Sequence, residues 1–126
     1  MHKILCMTVL MMLSATAFAD TPLTGDQIKQ LVSGNSIDLH SNANSLDLKL
    51  YLAADGSIAG RREDNGILFK GTWRITDSGE FCSVFASRKE TCGPVMDSGD
   101  GSYKRMEEGY PRAIWKKIHP GNAFGL

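Results

Sequence analysis

The sequence has few of the residues on which most enzymatic and metal-site chemistry depends. It contains only three histidines and three cysteines, and it has no phosphate-binding glycine loop, no Gly-x-Ser-x-Gly elbow and no Cys-x-x-Cys-His haem motif. Neither His40 nor His119 has a carboxylate at a sequence spacing that would indicate a catalytic pair, so we interpret both as surface or turn residues. The sequence therefore offers no catalytic residue and predicts neither a metal nor a cofactor. It favours a non-catalytic protein, with a cell-envelope enzyme of unidentified class as the alternative.

Neither sign of charge is in excess. The chain has 14 basic and 14 acidic residues, and they are dispersed rather than clustered. A nucleic-acid or anionic-membrane surface normally needs a concentrated basic patch, so we expect neither partner. Four basic pairs are interpreted as solvated strand ends: Arg61-Arg62, Arg88-Lys89, Lys104-Arg105 and Lys116-Lys117.

The N-terminal apolar run is too short to span a bilayer as a permanent helix. His2 and Lys3 precede the run at residues 4–13, and small residues ending in Ala17-x-Ala19 follow it. This order is typical of a secretory signal peptide cleaved after Ala19. We therefore predict a signal peptide at 1–19, one mature domain at 20–126, a periplasmic or secreted location, and no stable membrane insertion of the mature chain.

Removal of the signal peptide would leave two cysteines, Cys82 and Cys92, ten residues apart on either side of a polar turn. An even number of cysteines in an exported chain indicates a disulfide. A redox pair would more often be Cys-x-x-Cys, and a zinc site would need further ligands. The prediction is a structural Cys82–Cys92 bond.

Alternation of apolar and polar residues dominates the rest of the chain. In residues 67–75 the side chains of Ile67, Phe69, Gly71, Trp73 and Ile75 alternate with polar or smaller ones, and leucine occupies every second position from 46 to 52. Period-two alternation predicts strands with one buried face. Trp73 lies near the middle of this pattern and is the predicted anchor of the core.

The predicted fold is mainly β, an antiparallel meander of about seven to eight short strands that forms a small barrel or curved sandwich. One N-terminal helix precedes it, with Thr24 as N-cap, Gln27 as capping partner and Gly34 after the last turn. Gly93 and Pro94 predict an edge or bulge in the strand at 91–96. The tail is too rich in glycine for regular structure, and Phe124 and Leu126 are expected to tuck into the barrel end.

Two acidic pairs are candidate sites for a metal ion or for catalysis. Asp97 and Asp100 share one loop, but the order of ligands in an EF-hand is missing, and Asp and Gly are also common in tight turns. Glu107 and Glu108 are adjacent and would point to opposite faces of a strand, which is unsuited to glycoside hydrolysis. We interpret both pairs as turn residues.

Several markers together resemble a family of small secreted proteobacterial proteins of unknown function. The resemblance covers nearly the whole of 20–126, and it rests on these markers: Leu23-Thr-Gly, Ser33-Gly-Asn35, Tyr51 with Asp55-Gly56, Gly71-Thr-Trp73, Cys82 and Cys92, Trp115, and Pro120-Gly-Asn-x-x-Gly125-Leu126. Because these are fold markers, the resemblance implies no activity. Gly71-Thr-Trp73 is also similar to the Gly-x-Trp motif of calycin barrels, although there the motif marks the first strand.

Aromatic residues provide the candidate binding site. Tyr51, Trp73 and Trp115 are the predicted ligand contacts, since a barrel mouth lined by aromatics is a common entry for ligands. The expected function is a periplasmic or secreted binding protein for a small apolar ligand or an envelope protein. We expect Trp73 to be buried beside Phe69 and the leucines of 46–50 in a filled core, with recognition in the loops or at a barrel end.

Overall fold

The computed structural model describes residues 20–126, so the predicted signal peptide at 1–19 lies outside the described residues. One helix and ten strands make up the described chain. In chain order they are β1 (Thr21–Pro22), α1 (Gly25–Val32), β2 (Asn35–Ser41), β3 (Leu46–Leu52), β4 (Ser57–Arg62), β5 (Leu68–Ile75), β6 (Phe81–Phe85), β7 (Thr91–Gly93), β8 (Val95–Asp97), β9 (Tyr103–Glu107) and β10 (Tyr110–Pro120).

The fold is mainly β with one N-terminal helix, as the sequence predicts. All strands are antiparallel to their neighbours in one sheet of order β1-β8-β9-β10-β2-β3-β4-β5-β6-β7. The predicted count of seven to eight strands is wrong, because there are ten. Residues 21–22 add a short edge strand, and Pro94, which has no N–H to donate, separates β7 from β8 where a single strand was expected.

The segment 91–97 makes the sheet curl on itself. Its first half, β7, pairs with β6, and its second half, β8, pairs with β9 near the opposite end of the strand order. Gly93 permits this closure, because a Cβ there would overlap the carbonyl oxygen of Met106 in β9. The Met106 N–H in turn donates to the Pro94 carbonyl at 2.8 Å. The result is a curled, barrel-like sheet.

Helix α1 closes one end of this sheet. Its start is fixed by a capping box, in which the Thr24 hydroxyl accepts from the Gln27 N–H and the Gln27 side chain accepts from the Thr24 N–H. Ile28 and Val32 are fully buried on the helix face that meets the sheet. Gly34 takes a positive φ of 74° after the last turn and donates its N–H to Leu52, which brings the chain directly into β2.

We call the part of the core around Trp73, Phe81 and Trp115 the packed end, and the rings of these three residues form its centre. Trp73 is 7% exposed, which confirms its predicted burial, and it stacks on Phe81 at 6.2 Å between ring centroids. Phe81 in turn meets Trp115 edge-on at 5.1 Å. The Trp73 indole N–H donates to the Ala53 carbonyl at 2.9 Å, so its polar edge is satisfied within the core.

Ile67 departs from the predicted alternation. It precedes β5, is 57% exposed, and donates its N–H to the Asn65 side chain at 2.9 Å. Gly66 before it has a positive φ of 71°. The turn therefore extends one residue further than the alternation suggests, and the inward face of the strand begins at Phe69.

The C-terminal tail takes a different course from the one expected. Phe124 lies against the His119 ring at 5.2 Å and beneath the Lys49 ammonium at 4.5 Å. Ser36 holds the tail there by donating to the Gly121 carbonyl and accepting from the Ala123 N–H. His119, Lys49 and Ser36 belong to the outer faces of their strands, so the expectation that Phe124 tucks into the barrel end is wrong.

Across residues 20–126, no helix has the length and apolar character that crossing a membrane requires.

Candidate ligand-binding site

The two ends of the curled sheet differ. At one end lie α1 and the short turns that follow β3 and β5. The turns at the other end connect β2 to β3, β4 to β5, β6 to β7 and β9 to β10. We call this second end the mouth and define it by residues 42–45, 63–67, 86–90 and 108–109. Residues from three of these turns line a cavity that continues into the interior of the sheet.

The cavity has a volume of about 940 Å³. Its wall is mostly apolar and is formed by residues of eight strands, all but β1 and β8. The apolar side chains include Ile37, Leu39, Leu46, Leu48, Leu50, Leu52, Ile58, Phe69, Phe81, Phe85, Ala113 and Trp115. Small-molecule sites in proteins are typically apolar cavities of about 300–1,000 Å³, so this one is large enough for a small organic ligand. The expectation of a completely filled core is therefore wrong.

Two glycines explain how aromatic residues can line the interior without filling it. A Cβ on Gly60 would overlap the ring of Phe69 on the neighbouring strand, and a Cβ on Gly71 would come within 2.6 Å of the Phe85 ring. Each ring thus lies over the backbone of a glycine. The two rings meet edge-on at 5.5 Å. Because they lie along the wall, the central space stays open.

A buried arginine lines the same cavity. Arg105 on β9 is only 4% exposed. Its Nη2 donates to the Thr91 hydroxyl at 2.9 Å, whereas its buried Nη1 has no hydrogen-bond partner within residues 20–126. Burial lowers the pKa of the Arg105 guanidinium, yet an arginine remains protonated at neutral pH. The cavity therefore contains a buried positive charge whose guanidinium N–H groups are only partly hydrogen-bonded.

The nearest acidic residue on the same strand does not neutralise Arg105. Glu107 accepts from Arg112 at 2.5 Å, so its carboxylate is already part of an ion pair at the mouth. Burial and the nearby positive charge of Arg112 both lower the pKa of Arg105, and together they outweigh Glu107, which favours the charged form. The guanidinium is consequently left without a dedicated carboxylate.

Further cations surround the mouth. Besides Arg105, five basic residues line the cavity: Arg62, Lys70, Arg88, Lys89 and Arg112. No Asp or Glu of residues 20–126 lines it, although Asp64 and Glu107 form ion pairs with two of these cations, Arg62 and Arg112. Low-dielectric walls with charge of one sign focus the electrostatic field. The cavity is therefore apolar in its wall and positive at its opening.

The rim of the mouth also carries exposed apolar side chains. Ile67 and Leu68, at the start of β5, are 57% and 69% exposed and line the outer part of the cavity. Together they form a small exposed apolar patch beside the opening. Here they connect the outer surface to the apolar wall inside.

Of the three predicted ligand contacts, the cavity wall in the described part of the chain includes Trp115 but neither Tyr51 nor Trp73. Trp73 lies in the packed end against Phe81. Tyr51 is on β3 between leucines that face inward, opposite Ser36 of β2 and Ala59 of β4. Strand alternation therefore places Tyr51 on the outer face.

Sequence reasoning missed Arg105 because it interpreted Lys104-Arg105 as a solvated pair. Neighbouring residues on a strand face opposite sides, and only Lys104 is on the solvent side, where it pairs with Asp20 at 3.0 Å. Arg61 and Arg62 likewise face opposite sides of β4, and Arg62 is the one that lines the cavity. The available signal was strand alternation, which turns one member of a basic pair inward unless a bulge interrupts it, as it does beside the exposed pair Lys116-Lys117.

Both histidines have carboxylate partners that the sequence spacing did not reveal. His40 Nδ1 lies 2.9 Å from Asp47, and His119 Nε2 lies 2.8 Å from Asp38. In β2, Asp38 and His40 alternate with Ile37 and Leu39, which face the interior. Both pairs therefore lie on the outer face of the sheet, where β2 is flanked by β3 and β10. Within residues 20–126, no serine hydroxyl is hydrogen-bonded to either imidazole, so neither pair forms part of a nucleophilic triad there.

Asp38 is the centre of the larger of these clusters. It bonds to Lys49 at 2.5 Å as well as to His119, and Lys49 also pairs with Glu63 at 2.9 Å. Burial alone would raise the pKa of Asp38, but the hydrogen bonds from Lys49 and His119 outweigh it and hold the pKa below its usual value. The cluster joins three strands and supports the C-terminal tail.

The remaining candidate sites are structural. Cys82 and Cys92 form the predicted disulfide between paired residues of β6 and β7. Glu90 lies beside both sulfurs, but in the disulfide they are not thiolates and do not form a metal site with it. Asp97 and Asp100 accept from backbone N–H groups two residues on, which are the bonds of tight turns.

The chain matches no model of a protein family, and no curated protein is similar to it. The resemblance to a secreted proteobacterial family and the weaker one to calycins therefore stay predictions.

Proposed function

We propose that this chain is a periplasmic or secreted, non-catalytic protein that binds a small apolar ligand in the cavity. The observation that carries the proposal is a cavity of about 940 Å³ lined by leucines, phenylalanines and Trp115. An unfilled apolar cavity loses packing contacts, and natural domains of this size seldom retain one so large. Ligand binding gives such a cavity a function.

The periplasmic or secreted location is supported by two features. The sequence at 1–19 has the order of a signal peptide, and the domain contains a disulfide, which persists in oxidising compartments. The alternative of a cell-envelope enzyme would have to use His40 with Asp47 or His119 with Asp38. Both pairs lie outside the cavity, so the cavity and the two imidazoles of residues 20–126 are not brought together.

A neutral fluorescent probe tests the proposal directly. N-phenyl-1-naphthylamine, titrated into the purified exported protein, should show saturable binding with increased emission. Leu48→Trp places a larger side chain in the cavity and should reduce probe binding severalfold. Thr72→Trp adds the same side chain to the exposed face of β5 and serves as the control.

Two results would count against the cavity as a binding site. One is the absence of saturable probe binding by the wild-type protein. The other is unchanged affinity in Leu48→Trp while its melting curve shows that the variant is folded.

A further inference from the structure

Arg105 provides information about the ligand that the apolar wall does not. A buried ion without a counter-charge costs several kcal/mol even after relaxation, and an apolar side chain of similar size is often tolerated as well or better. Arg105 has one partner, the neutral hydroxyl of Thr91, and an unpaired Nη1. An anion that enters the cavity would supply the missing charge and acceptor.

The surroundings of Arg105 favour the same kind of ligand. Lys70, Arg88 and Lys89 line the cavity, the last two from the mouth, and none of them makes an ion pair with any residue from 20 to 126. Their combined field would draw an anion toward the opening and would repel a cation.

The rest of the wall excludes a purely polar anion. A phosphate or acetate ion would satisfy Arg105 but would leave the leucine-lined part of the cavity empty. A neutral hydrocarbon would fill the wall and leave the guanidinium unpaired. The two requirements are met together by a molecule with an apolar chain and one anionic end.

We infer that the ligand is an anionic amphiphile, whose chain lies among the inward-facing leucines and whose carboxylate or phosphate head pairs with Arg105. The guanidinium donates its N–H groups to the head oxygens, and the planar fork of arginine suits both kinds of head. Exposed Ile67 and Leu68 give the chain an apolar rim to pass during entry. This inference rests on the proposed function, because it concerns the same cavity.

A competition experiment with chains of equal length separates the effect of the head from that of the chain. The protein loaded with N-phenyl-1-naphthylamine is titrated with dodecanoate, dodecyl phosphate, dodecanol and dodecyltrimethylammonium, each below its micelle concentration. Since a hydrogen bond to a charged group contributes about 1.5–3 kcal/mol, at least one anion should compete about tenfold or more better than dodecanol. The ammonium compound should be the weakest, and the better anion identifies the head.

Substitution of Arg105 supplies the matched test. Arg105→Met keeps much of the volume and removes the charge, so it should abolish the preference for the anions over dodecanol and leave binding of the neutral probe intact. Arg105→Lys should retain part of the preference. Lys104→Met removes the adjacent charge on the outer face and should bind all four competitors as the wild type does.

The outcomes distinguish the inference from the function on which it rests. If the probe binds but dodecanol or the ammonium compound competes as well as the anions, the inference is overturned and the apolar site remains. If Arg105→Met is folded and still prefers the anions, it is overturned as well. Absence of any probe binding overturns the proposed function itself. Should Arg105→Met fail to fold, the wild-type competition series decides.

Discussion

The ring of Phe69 lies over the backbone of Gly60 on the adjacent strand, where a Cβ atom would overlap three ring carbons. This contact keeps the ring along the wall. Gly60→Ala should push Phe69 toward the centre, lower stability by about 1–3 kcal/mol, as overpacking does, and weaken probe binding. Denaturant unfolding and probe titration measure the two effects.

The double variant Gly60→Ala with Phe69→Leu checks this explanation. A smaller side chain at 69 leaves room for the new methyl group, so the double variant should be more stable than the sum of the two single effects predicts. Strict additivity would show that the Phe69 ring is not what Gly60 accommodates.

Trp73 should govern stability rather than binding, because it is buried against Phe81 and is not part of the cavity wall within residues 20–126. Trp73→Ala should cost about 3–5 kcal/mol, as large core truncations do, and could leave too little stability for folding. Trp73→Phe keeps most of the ring and loses the hydrogen bond to Ala53, so it should lower the stability less than Trp73→Ala does.

Tyr110→Ala, at a side chain 76% exposed, is the control in the same melts. A nearly unchanged midpoint combined with lost probe binding would place Trp73 in the ligand site instead.

The Cys82–Cys92 bond should be present in the exported protein and should stabilise it. It closes a short loop, with a sequence separation of 10, so the chain-entropy estimate is about 2–3 kcal/mol. Cys82→Ser should lower the unfolding midpoint accordingly, and reduction of the wild type should do the same. Two thiols titrating in the denatured, unreduced protein would contradict the bond.

Local rules explain which parts of the fold could be predicted. The capping box of Thr24 and Gln27 and the positive φ of Gly34 involve residues close in sequence, so the helix ends were predictable. The disulfide was predictable because its cysteines face each other across one hairpin. The division of 91–97 into two strands was only partly predictable, since Pro94 signals a break but not the pairing partners on either side.

The cavity depends on side-chain relationships between neighbouring strands, which the alternation within each strand does not show. Nothing local to Phe69 shows that its ring lies over Gly60, and nothing in Lys104-Arg105 shows which residue faces inward. The partners of Arg105 are Thr91, fourteen residues away, and Val95 and Ala113 on the flanking strands. Alternation predicts two faces for each strand, but the closure of the sheet decides which charge becomes buried.

Processing of the N-terminus is a separate prediction, made from Ala17-x-Ala19. The exported protein should begin at Asp20, because small residues at these two positions are what a signal peptidase accepts. N-terminal sequencing or intact mass of the periplasmic or secreted form checks this. Ala19→Arg should impair cleavage and cause the precursor to accumulate. A stable exported form that retains Met1 would overturn the prediction.

Asp38 should make stability depend on pH in the acidic range. The hydrogen bonds from Lys49 and His119 lower its folded-state pKa, so the folded state binds a proton less readily than the unfolded state does. This contribution is fully present above the unfolded-state pKa of about 3.9 and disappears as the pH falls through the lower folded-state value. Asp38→Asn should therefore be less stable than the wild type at pH 6–7, by about 1–3 kcal/mol for the lost charged hydrogen bonds. That part of the difference should vanish on acidification below the folded-state pKa.

Asp64→Asn, at an exposed ion pair with Arg62, is the control and should have a smaller effect. Denaturant unfolding at several pH values measures both, and a gap between wild type and Asp38→Asn that stays constant down to the lowest pH would show that the carboxylate's charge is not what stabilises the cluster.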